Sequence, residues 1–454
     1  MRMRMCMCLC RLCMRLCWGW AVKAGQPGIY HYSRQELDER SRIHLRIDDD
    51  GSGILFVNAS RVLHLNQTAA LMANLALEDV NPGQAVKTIR KNFHVSRQQA
   101  QLDYDQFIDQ LDELIRPDGA CLIHDLDLDI QPPFSSQPSA PYRMDLAVTY
   151  RCNNDCSHCY NARSRQFPEM STDQWKAVID RLWEIGIPHI VFTGGEPTLR
   201  SDLHELVAYA EQKGQITGLN TNGRRLSDRK YLDSLVEAGL DHVQITLESH
   251  DPTIHDAMVA TKGAWKQTIS GIRNALETPL FVMTNTTMLV NNSPYLYDTL
   301  AFLAELGVPT IGLNALIYSG RGQDVGTGLS ETQLKPLLLT ARETTERAGQ
   351  RLIWYTPTEY CHFDPMSLEL GVKGCTAARY NMCIEPDGSV LPCQSYYEPL
   401  GNILQNEWNA IWNHPLSEIL RQREYIQEKC QGCTLLAECG GGCPLTPVLA
   451  DKAA

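Results

Sequence analysis

Residues 144–160 read MDLAVTYRCNNDCSHCY. The first seven are a short strand-like run, and Cys152, Cys156 and Cys159 stand on the loop that leaves its C-terminal end. Open and closed α/β folds place their active sites at such strand ends. Thiolates on one short loop can converge on an iron–sulfur cluster. A closed structural zinc site asks for four ligands from paired C-x2-C units. No fourth cysteine is adjacent here, although His158 lies inside the motif. Three ligands leave one coordination position open, and an open position implies chemistry.

Outward from this stretch the pattern is regular strand–helix alternation. The further strand candidates are HIVFTG, ITGLNTN, HVQITLE, PLFVMTNTTML and TIGLNALI. Between them lie helix candidates such as STDQWKAVIDRLWEIG, which opens on a capping box from Ser171 to Gln174, and SDRKYLDSLVEAG. Six βα units over 142–353 imply a parallel sheet with right-handed crossovers, as an open α/β sheet or a partial barrel. Upstream, RIHLRI, GILFVN and RVLHLN read as a three-stranded meander. Three helices follow: one capped by Asn66, one starting at Pro82, and one with a capping box at Ser96 and Gln99. The third puts Tyr104, Phe107, Ile108, Leu111, Leu114 and Ile115 on one face. Sheet first and helices after describes a winged-helix-like α+β module over 26–127, joined by a Pro- and Ser-rich linker over 128–141. Over 354–454 helices become scarce and cysteines frequent, so metal rather than a large core is expected to hold that region.

Length and composition agree with several domains. The chain has 454 residues, 43% of them hydrophobic, and no stretch of 18 uninterrupted apolar residues, so no membrane span is expected. A net charge of −12 argues against broad binding to nucleic acid or anionic membrane. Seventeen cysteines without a secretory signal point to metal or redox work in a reducing cytoplasmic compartment. The first twenty residues, MRMRMCMCLCRLCMRLCWGW, break any signal-peptide core with Arg11 and Arg15; residues 1–25 read as a low-complexity tail or an incorrectly chosen start.

The strand after the cysteine loop ends in TGGEP, residues 193–197. Gly194 and Gly195 let backbone approach closely, and the Glu196 carboxylate can accept from an ammonium group. Together with the three-cysteine loop, this resembles the radical S-adenosylmethionine (SAM) enzymes. The resemblance implies a [4Fe–4S] cluster on Cys152, Cys156 and Cys159, its open iron chelated by the amino and carboxylate groups of SAM. It also implies reductive cleavage of SAM to methionine and a 5′-deoxyadenosyl radical that removes a hydrogen atom from substrate. Later strand ends supply the further cofactor-binding candidates Asn222 in NTNG, Thr246 and Glu248 in ITLES, and Asn285 in TNTTMLVNN, with Tyr160 beside the cysteines. Tyr160 and Tyr318 are also candidate radical relays at the barrel mouth.

The C-terminal region carries Cys375, Cys383, Gly388 and Cys393, then Cys430, Cys433, Cys439 and Cys443 as C-x2-C-x5-C-x3-C. This resembles the SPASM extension of the same family. The resemblance implies one or two auxiliary iron–sulfur clusters, one on Cys375, Cys383, Cys393 and Cys443 and the other on Cys430, Cys433 and Cys439. PDGSVLPC supplies a hairpin turn at Asp387–Gly388 and puts Cys393 on the returning strand. The family's final cysteine has no counterpart after Cys443 in this sequence: the fourth ligand is Glu438, Asp451, a substrate group or nothing, and the cluster has an open iron, the site is labile or the sequence is truncated. Cys361 is not needed in this count, and Cys121 reads as a buried small hydrophobe. Two structural zinc sites are the alternative for this region.

The segments VLHLNQTAALMANL and FHVSRQQAQLDYDQFIDQLDEL resemble the small chaperone of pyrroloquinoline quinone synthesis, a peptide-recognition domain of ribosomal-peptide maturases. Such a domain takes an extended leader as an added strand. A module used only for packing or for DNA is the alternative, and the acidic loop DDDGS disfavours DNA. The expected fold is α/β: a partial (β/α)6 TIM-like barrel with an N-terminal winged-helix-like domain and a C-terminal cysteine-rich iron–sulfur domain. The expected function is a radical SAM enzyme that oxidatively modifies, by cross-linking, a precursor peptide bound through the N-terminal domain. A flavodoxin- or ferredoxin-type electron donor is the expected redox partner, with no nucleic acid and no membrane. The alternatives are a radical SAM enzyme acting on a tetrapyrrole or other cofactor precursor, a sulfatase-activating relative, and a non-catalytic iron–sulfur protein.

Overall fold

The computed structural model describes residues 25–36, 39–58, 61–115, 138–161 and 163–446. The tail over 1–24, Cys121, most of the expected linker and Asp451 lie outside the described residues. The chain divides into two compact units, Met1–Ile130 and Gln131–Ala454.

In the first unit four antiparallel strands, β1 (Gly28–Glu36), β2 (Glu39–Ile47), β3 (Gly53–Val57) and β4 (Arg61–Leu65), lie side by side in chain order. Three helices follow: α1 (Gln67–Leu77), α2 (Pro82–Asn92) and α3 (Arg97–Ile115). The expected meander is therefore four-stranded. The added strand is built from GIYHYSRQE, whose Tyr30 and Tyr32 sit two residues apart and pack against the unit's core. Asn66 caps α1, accepting from the Ala69 amide at 2.9 Å. The box expected at α3 is half formed: Ser96 Oγ accepts from the Gln99 amide, while the Gln99 side chain turns along the helix to Asp103. The apolar face of α3 is as expected, with Tyr104, Phe107, Leu111, Leu114 and Ile115 buried and Ile108 packed at their edge.

The second unit is a partial TIM-like barrel. Strands β5 (Arg143–Thr149), β6 (His189–Gly194), β7 (Ile216–Thr221), β8 (His242–Thr246), β9 (Phe281–Thr287), β10 (Thr310–Asn314) and β11 (Arg351–Trp354) run parallel in chain order. The connecting helices are α4 (Thr172–Ile185), α5 (Leu203–Lys213), α6 (Arg229–Glu237), α7 (Pro252–Met258), α8 (Ala264–Leu276), α9 (Leu296–Glu305) and α10 (Glu331–Arg347). Both halves of the Ser171–Gln174 capping box form at α4. Six strands were expected; β11, only RLIW, is the seventh.

The C-terminal region does not stand apart from this sheet. Strand β12 (Asn381–Ile384) pairs in parallel with β5 on the side away from β6, and β13 (Ser389–Leu391) and β14 (Gly401–Asn402) extend the sheet to ten strands. Met382, Ile384, Val390, Leu400, Ile403, Ile411 and Trp412 join the same core as the barrel helices. Metal was expected to replace a core here, whereas the region shares the barrel's own. The hairpin turn at Asp387–Gly388 forms with Gly388 at φ +90°, but Cys393 lies two residues beyond the end of β13 rather than on it. Among the described residues no helix is long and apolar enough to cross a membrane.

Alternation along the barrel strands separates two environments. Leu146, Phe192, Leu219, Val243, Ile245, Ile311 and Leu313 face the large core. The alternate positions include Asn220, Gln244, Thr246, Asn285 and Asn314, a polar inner face where a closed barrel would carry packed aliphatic layers.

Candidate active site

The loop from Cys152 to Cys159 is held at its root by TGGEP. The Gly195 amide donates to Thr149 O and the Glu196 amide to Arg151 O, each at 2.8 Å. A Cβ on Gly194, at φ +129°, would lie 2.1 Å from Thr149 O, and one on Gly195 would lie 2.4 Å from Arg151 O and 2.6 Å from Tyr150 O. Only glycine fits both places, so the two glycines clasp the backbone that launches the cysteines.

Glu196 is 1% exposed. Its Oε1 accepts from the Thr198 hydroxyl (2.6 Å), the Thr221 hydroxyl (2.7 Å) and the Thr198 amide (3.2 Å), and Oε2 accepts from the Asn222 amide (2.8 Å). Burial pushes its pKa up, and these bonds oppose the rise. The carboxylate was read from sequence as an acceptor for an ammonium group; these four donors are the protein's own, and they tie the end of β6 to the end of β7.

The loop itself is braced from three sides. Arg165 donates to Cys152 O (3.0 Å), Asn154 O (2.7 Å) and Asp155 Oδ1 (2.8 Å). Arg224 reaches Asn153 O and Asn154 Oδ1, and the Asn222 side chain donates to Asn153 Oδ1 at 2.7 Å. Arg321 donates its amide to Cys159 O at 3.0 Å and pairs with Asp155 at 3.0 Å. Sequence reasoning missed all three arginines, since a single Arg on a loop carries no spacing signal.

Each of the three thiols is partly buried. Burial pushes the Cys152 pKa up to about 11, with Glu196 and Cys159 adding to the rise; Cys156 is raised by burial, then by Cys159 and Glu248. Burial also raises Cys159, and Arg321 and Arg165 counter it. Three thiols that would repel one another once ionised, with arginines beside them, make a donor set for a cationic centre. Zinc–sulfur bonds of about 2.3 Å would draw thiolates to roughly 3.8 Å from one another. Among the described residues the trio of ligand atoms found within 4.8 Å of one another is Glu359, Cys361 and His362, not these cysteines.

His158, inside the motif, crosses to β8: its Nε2 lies 2.9 Å from Glu248 Oε1, and both side chains are buried. Burial works to lower the His158 pKa, but Glu248 overrides it and the net shift is upward. Glu248 Oε2 also accepts from the Thr287 amide at 2.9 Å, so this carboxylate joins the cysteine loop to β9. Thr246 and Asn285 are cross-strand neighbours on the inner face. Asn285 Oδ1, Asn314 Oδ1 and His158 Nδ1 are buried without a hydrogen-bond partner, which fits a polar molecule seated at this end of the barrel. Tyr160 donates its hydroxyl to Gln394 Oε1 at 3.1 Å, and its carbonyl accepts from the Tyr397 hydroxyl. Tyr318 is part of a separate small apolar cluster with Met258, Leu289 and Leu316.

In the C-terminal region two groups of cysteines come together. Cys375 is raised by burial and then by the charges of Cys443 and Cys393; Cys383, buried on β12 beside Asp145, is raised by burial, Asp145 and Cys393. Cys430 lies within electrostatic reach of Cys439 and Cys433. Tyr150 and Arg163 both bond to Glu385, at 2.9 and 3.1 Å, linking the cysteine loop to the β12–β13 hairpin.

Comparison with known proteins agrees with this geometry. Residues 146–303 match the Radical SAM superfamily, residues 375–434 the SPASM iron-sulfur cluster-binding domain, and residues 51–114 coenzyme PQQ synthesis protein D (PqqD). The chain is 30% identical over 330 residues to an Fe-coproporphyrin III synthase of Methanosarcina barkeri, covering 65% of this chain and 81% of that protein. It is 30% identical over 319 residues to a PqqA peptide cyclase of Rhodopseudomonas palustris, covering 67% and 82%. The fold is similar to that of Streptococcus suis SuiB bound to precursor peptide SuiA, with a TM-score of 0.65 and 16% identity over 89% of this chain and 94% of that one. The chain therefore belongs to the radical SAM superfamily, as an enzyme that uses a [4Fe–4S] cluster and S-adenosylmethionine and carries a SPASM auxiliary-cluster domain together with a PqqD domain.

Proposed function

We propose that this enzyme oxidatively modifies, by forming a cross-link, a ribosomal precursor peptide whose leader binds the PqqD domain. One observation carries the reading: a peptide-recognition unit is fused to a radical SAM barrel and a SPASM region in one chain. The 89% span of the likeness to SuiB exceeds Gln131–Ala454 and so takes in the N-terminal unit as well. In that unit β1 and β4 are the edge strands of the sheet, and an extended leader can add to such an edge.

Cys152, Cys156 and Cys159 would hold the principal cluster, and the polar inner face around Asn222, Thr246 and Asn285 would receive SAM. Bound there, the pair supplies a 5′-deoxyadenosyl radical by one-electron cleavage of the C5′–S bond. The chain's part is placement. Gly194, Gly195 and Glu196 lock the root of the cysteine loop, Arg165, Arg224 and Arg321 fix its course, and the His158–Glu248 pair anchors it to the far strands. The auxiliary clusters would accept the electron that closing a cross-link releases, and a flavodoxin- or ferredoxin-type protein would supply the initiating one.

The full-length protein, loaded anaerobically, should bind one short peptide encoded beside its gene with a low-micromolar Kd, about −8 kcal/mol or tighter, by fluorescence anisotropy. Turnover with SAM should then lower the peptide's mass by one pair of hydrogens. The relationship to an Fe-coproporphyrin III synthase favours a second reading, a tetrapyrrole substrate. Failure to bind any peptide, with turnover of an iron porphyrin, would establish that reading instead.

A further inference from the structure

Cys430, Cys433 and Cys439 form a group of three thiols, and an iron–sulfur cubane held this way needs a fourth ligand. The loop that follows β11 comes to lie on this group. The Tyr360 amide donates to Cys439 Sγ at 3.4 Å, and the same sulfur is 3.5 Å from Thr358 O. Lys429, next to Cys430, pairs with Glu359 Oε2 at 3.0 Å, and that oxygen is 3.7 Å from Cys361 Sγ. From the other side Gly442 packs on Glu359 so closely that a Cβ there would lie 3.0 Å from Glu359 Cγ. Residues 358–361 are thus laced to both ends of the C-x2-C-x5-C-x3-C segment, with Cys361 beside it.

The neighbours of Cys361 are already engaged. Glu359 is neutralised by Lys429, and His362 Nδ1 lies 2.7 Å from Glu331 Oε2. Cys361 is the thiol of the Glu359–Cys361–His362 trio, and Lys429 is the cation whose charge reaches it. Burial pushes its thiol pKa up, Glu359 and Cys439 add to the rise, and Lys429 counters it. The rival is Glu438, whose Oε2 is buried without a partner. A carboxylate is a hard donor, and iron–sulfur clusters select thiolates.

We infer that Cys361 is the fourth thiolate of the auxiliary cluster held by Cys430, Cys433 and Cys439, delivered from upstream of the whole cysteine array. The inference rests on the reading of those three cysteines as cluster ligands and goes beyond the proposed peptide chemistry. A cluster closed by four thiolates has no open iron for substrate, so its part is confined to passing electrons.

The test uses the anaerobically loaded full-length enzyme and peptide mapping of iodoacetamide-modified cysteines. Cys361 is exposed, so after iron is removed with a chelator it should alkylate readily; in the loaded enzyme it should react at least about tenfold more slowly. Equal reactivity in both states would overturn the inference. In parallel, Cys361→Ser should give a three-iron EPR signal on mild oxidation and lose one iron, whereas Cys430→Ser should lose the entire cluster. If Cys430→Ser keeps all its iron, the cluster reading itself fails. If Cys430→Ser loses iron while Cys361→Ser does not, only the inference fails. A three-iron signal from Glu438→Gln, with Cys361→Ser unchanged, would assign the fourth position to the carboxylate and overturn the inference too.

Discussion

Replacing Gly195 by alanine isolates the clasp beneath the cysteine loop. Gly195, unlike Gly194, does not have a positive φ, so alanine meets no conformational penalty and the effect is purely steric. The new methyl would sit 2.4 Å from Arg151 O, 2.6 Å from Tyr150 O and 2.8 Å from Tyr150 C, about an ångström inside the ordinary contact that starts near 3.4 Å. All three are backbone atoms, and none can rotate away. Overpacking of this kind costs about 1–3 kcal/mol. Relief moves the root of Cys152, one residue beyond Arg151, by a distance of the same order as the clash. A 1 Å misplacement at a reacting centre costs roughly 100-fold in rate. Gly195→Ala should therefore fold, lose about 1–3 kcal/mol by urea unfolding, and form 5′-deoxyadenosine from SAM on the order of 100 times more slowly in an anaerobic single-turnover assay. Full iron loading with wild-type SAM cleavage would show that the contact between TGGEP and the cysteine loop does not position the site.

Other perturbations test the remaining supports. Glu196→Gln keeps the shape but faces an amide NH2 toward fixed donors such as the Asn222 or Thr198 amide, so urea unfolding should show a loss of about 1–3 kcal/mol. Burial, aided by Arg143, pulls the His242 pKa down to about 4. The folded state therefore takes up its proton later than the unfolded one, and stability contributed above pH 6.5 fades as pH falls toward 4, by up to about 3 kcal/mol. His242→Gln should flatten that part of a pH series of urea midpoints. Gly83→Ala, near the start of α2 with its Cβ at an ordinary 3.4 Å from Asn81 Oδ1, should raise the stability of the N-terminal unit by about 0.5–1 kcal/mol, read from its own thermal transition.

What the sequence revealed was chiefly local. Strand–helix alternation placed β5 to β10 because each strand carries its own apolar period, and the cysteine loop and TGGEP declared themselves by spacing at strand ends. The long-range partners were hidden. Strand β11 is four residues and β1 is a tyrosine–histidine strand with few aliphatics, so neither carries a strong periodic signal. Arg165, Arg224 and Arg321 come from three separate loops and meet only in the fold. Glu196 was read only as an acceptor for an ammonium group, because its partners Thr221 and Asn222 sit at the end of the next strand. Cys361 was set aside for the same reason: it lies well upstream of the thiols it approaches, and no motif spacing joins them.

The pairing of β12 with β5 has a temporal side. Arg143 and its partner Asn381 are 238 residues apart, and until β12 emerges β5 is an open edge of a parallel sheet. At about 5–20 residues per second a ribosome needs roughly 12–50 s to deliver the missing strand. For nearly all of that interval the principal cysteine loop is already synthesised while Cys383 and the hairpin that braces it through Glu385 are not. Cluster insertion before the sheet closes would be into a half-made scaffold, so nascent chains of this enzyme should depend on edge-protecting chaperones and on iron–sulfur delivery that waits for the last quarter of translation.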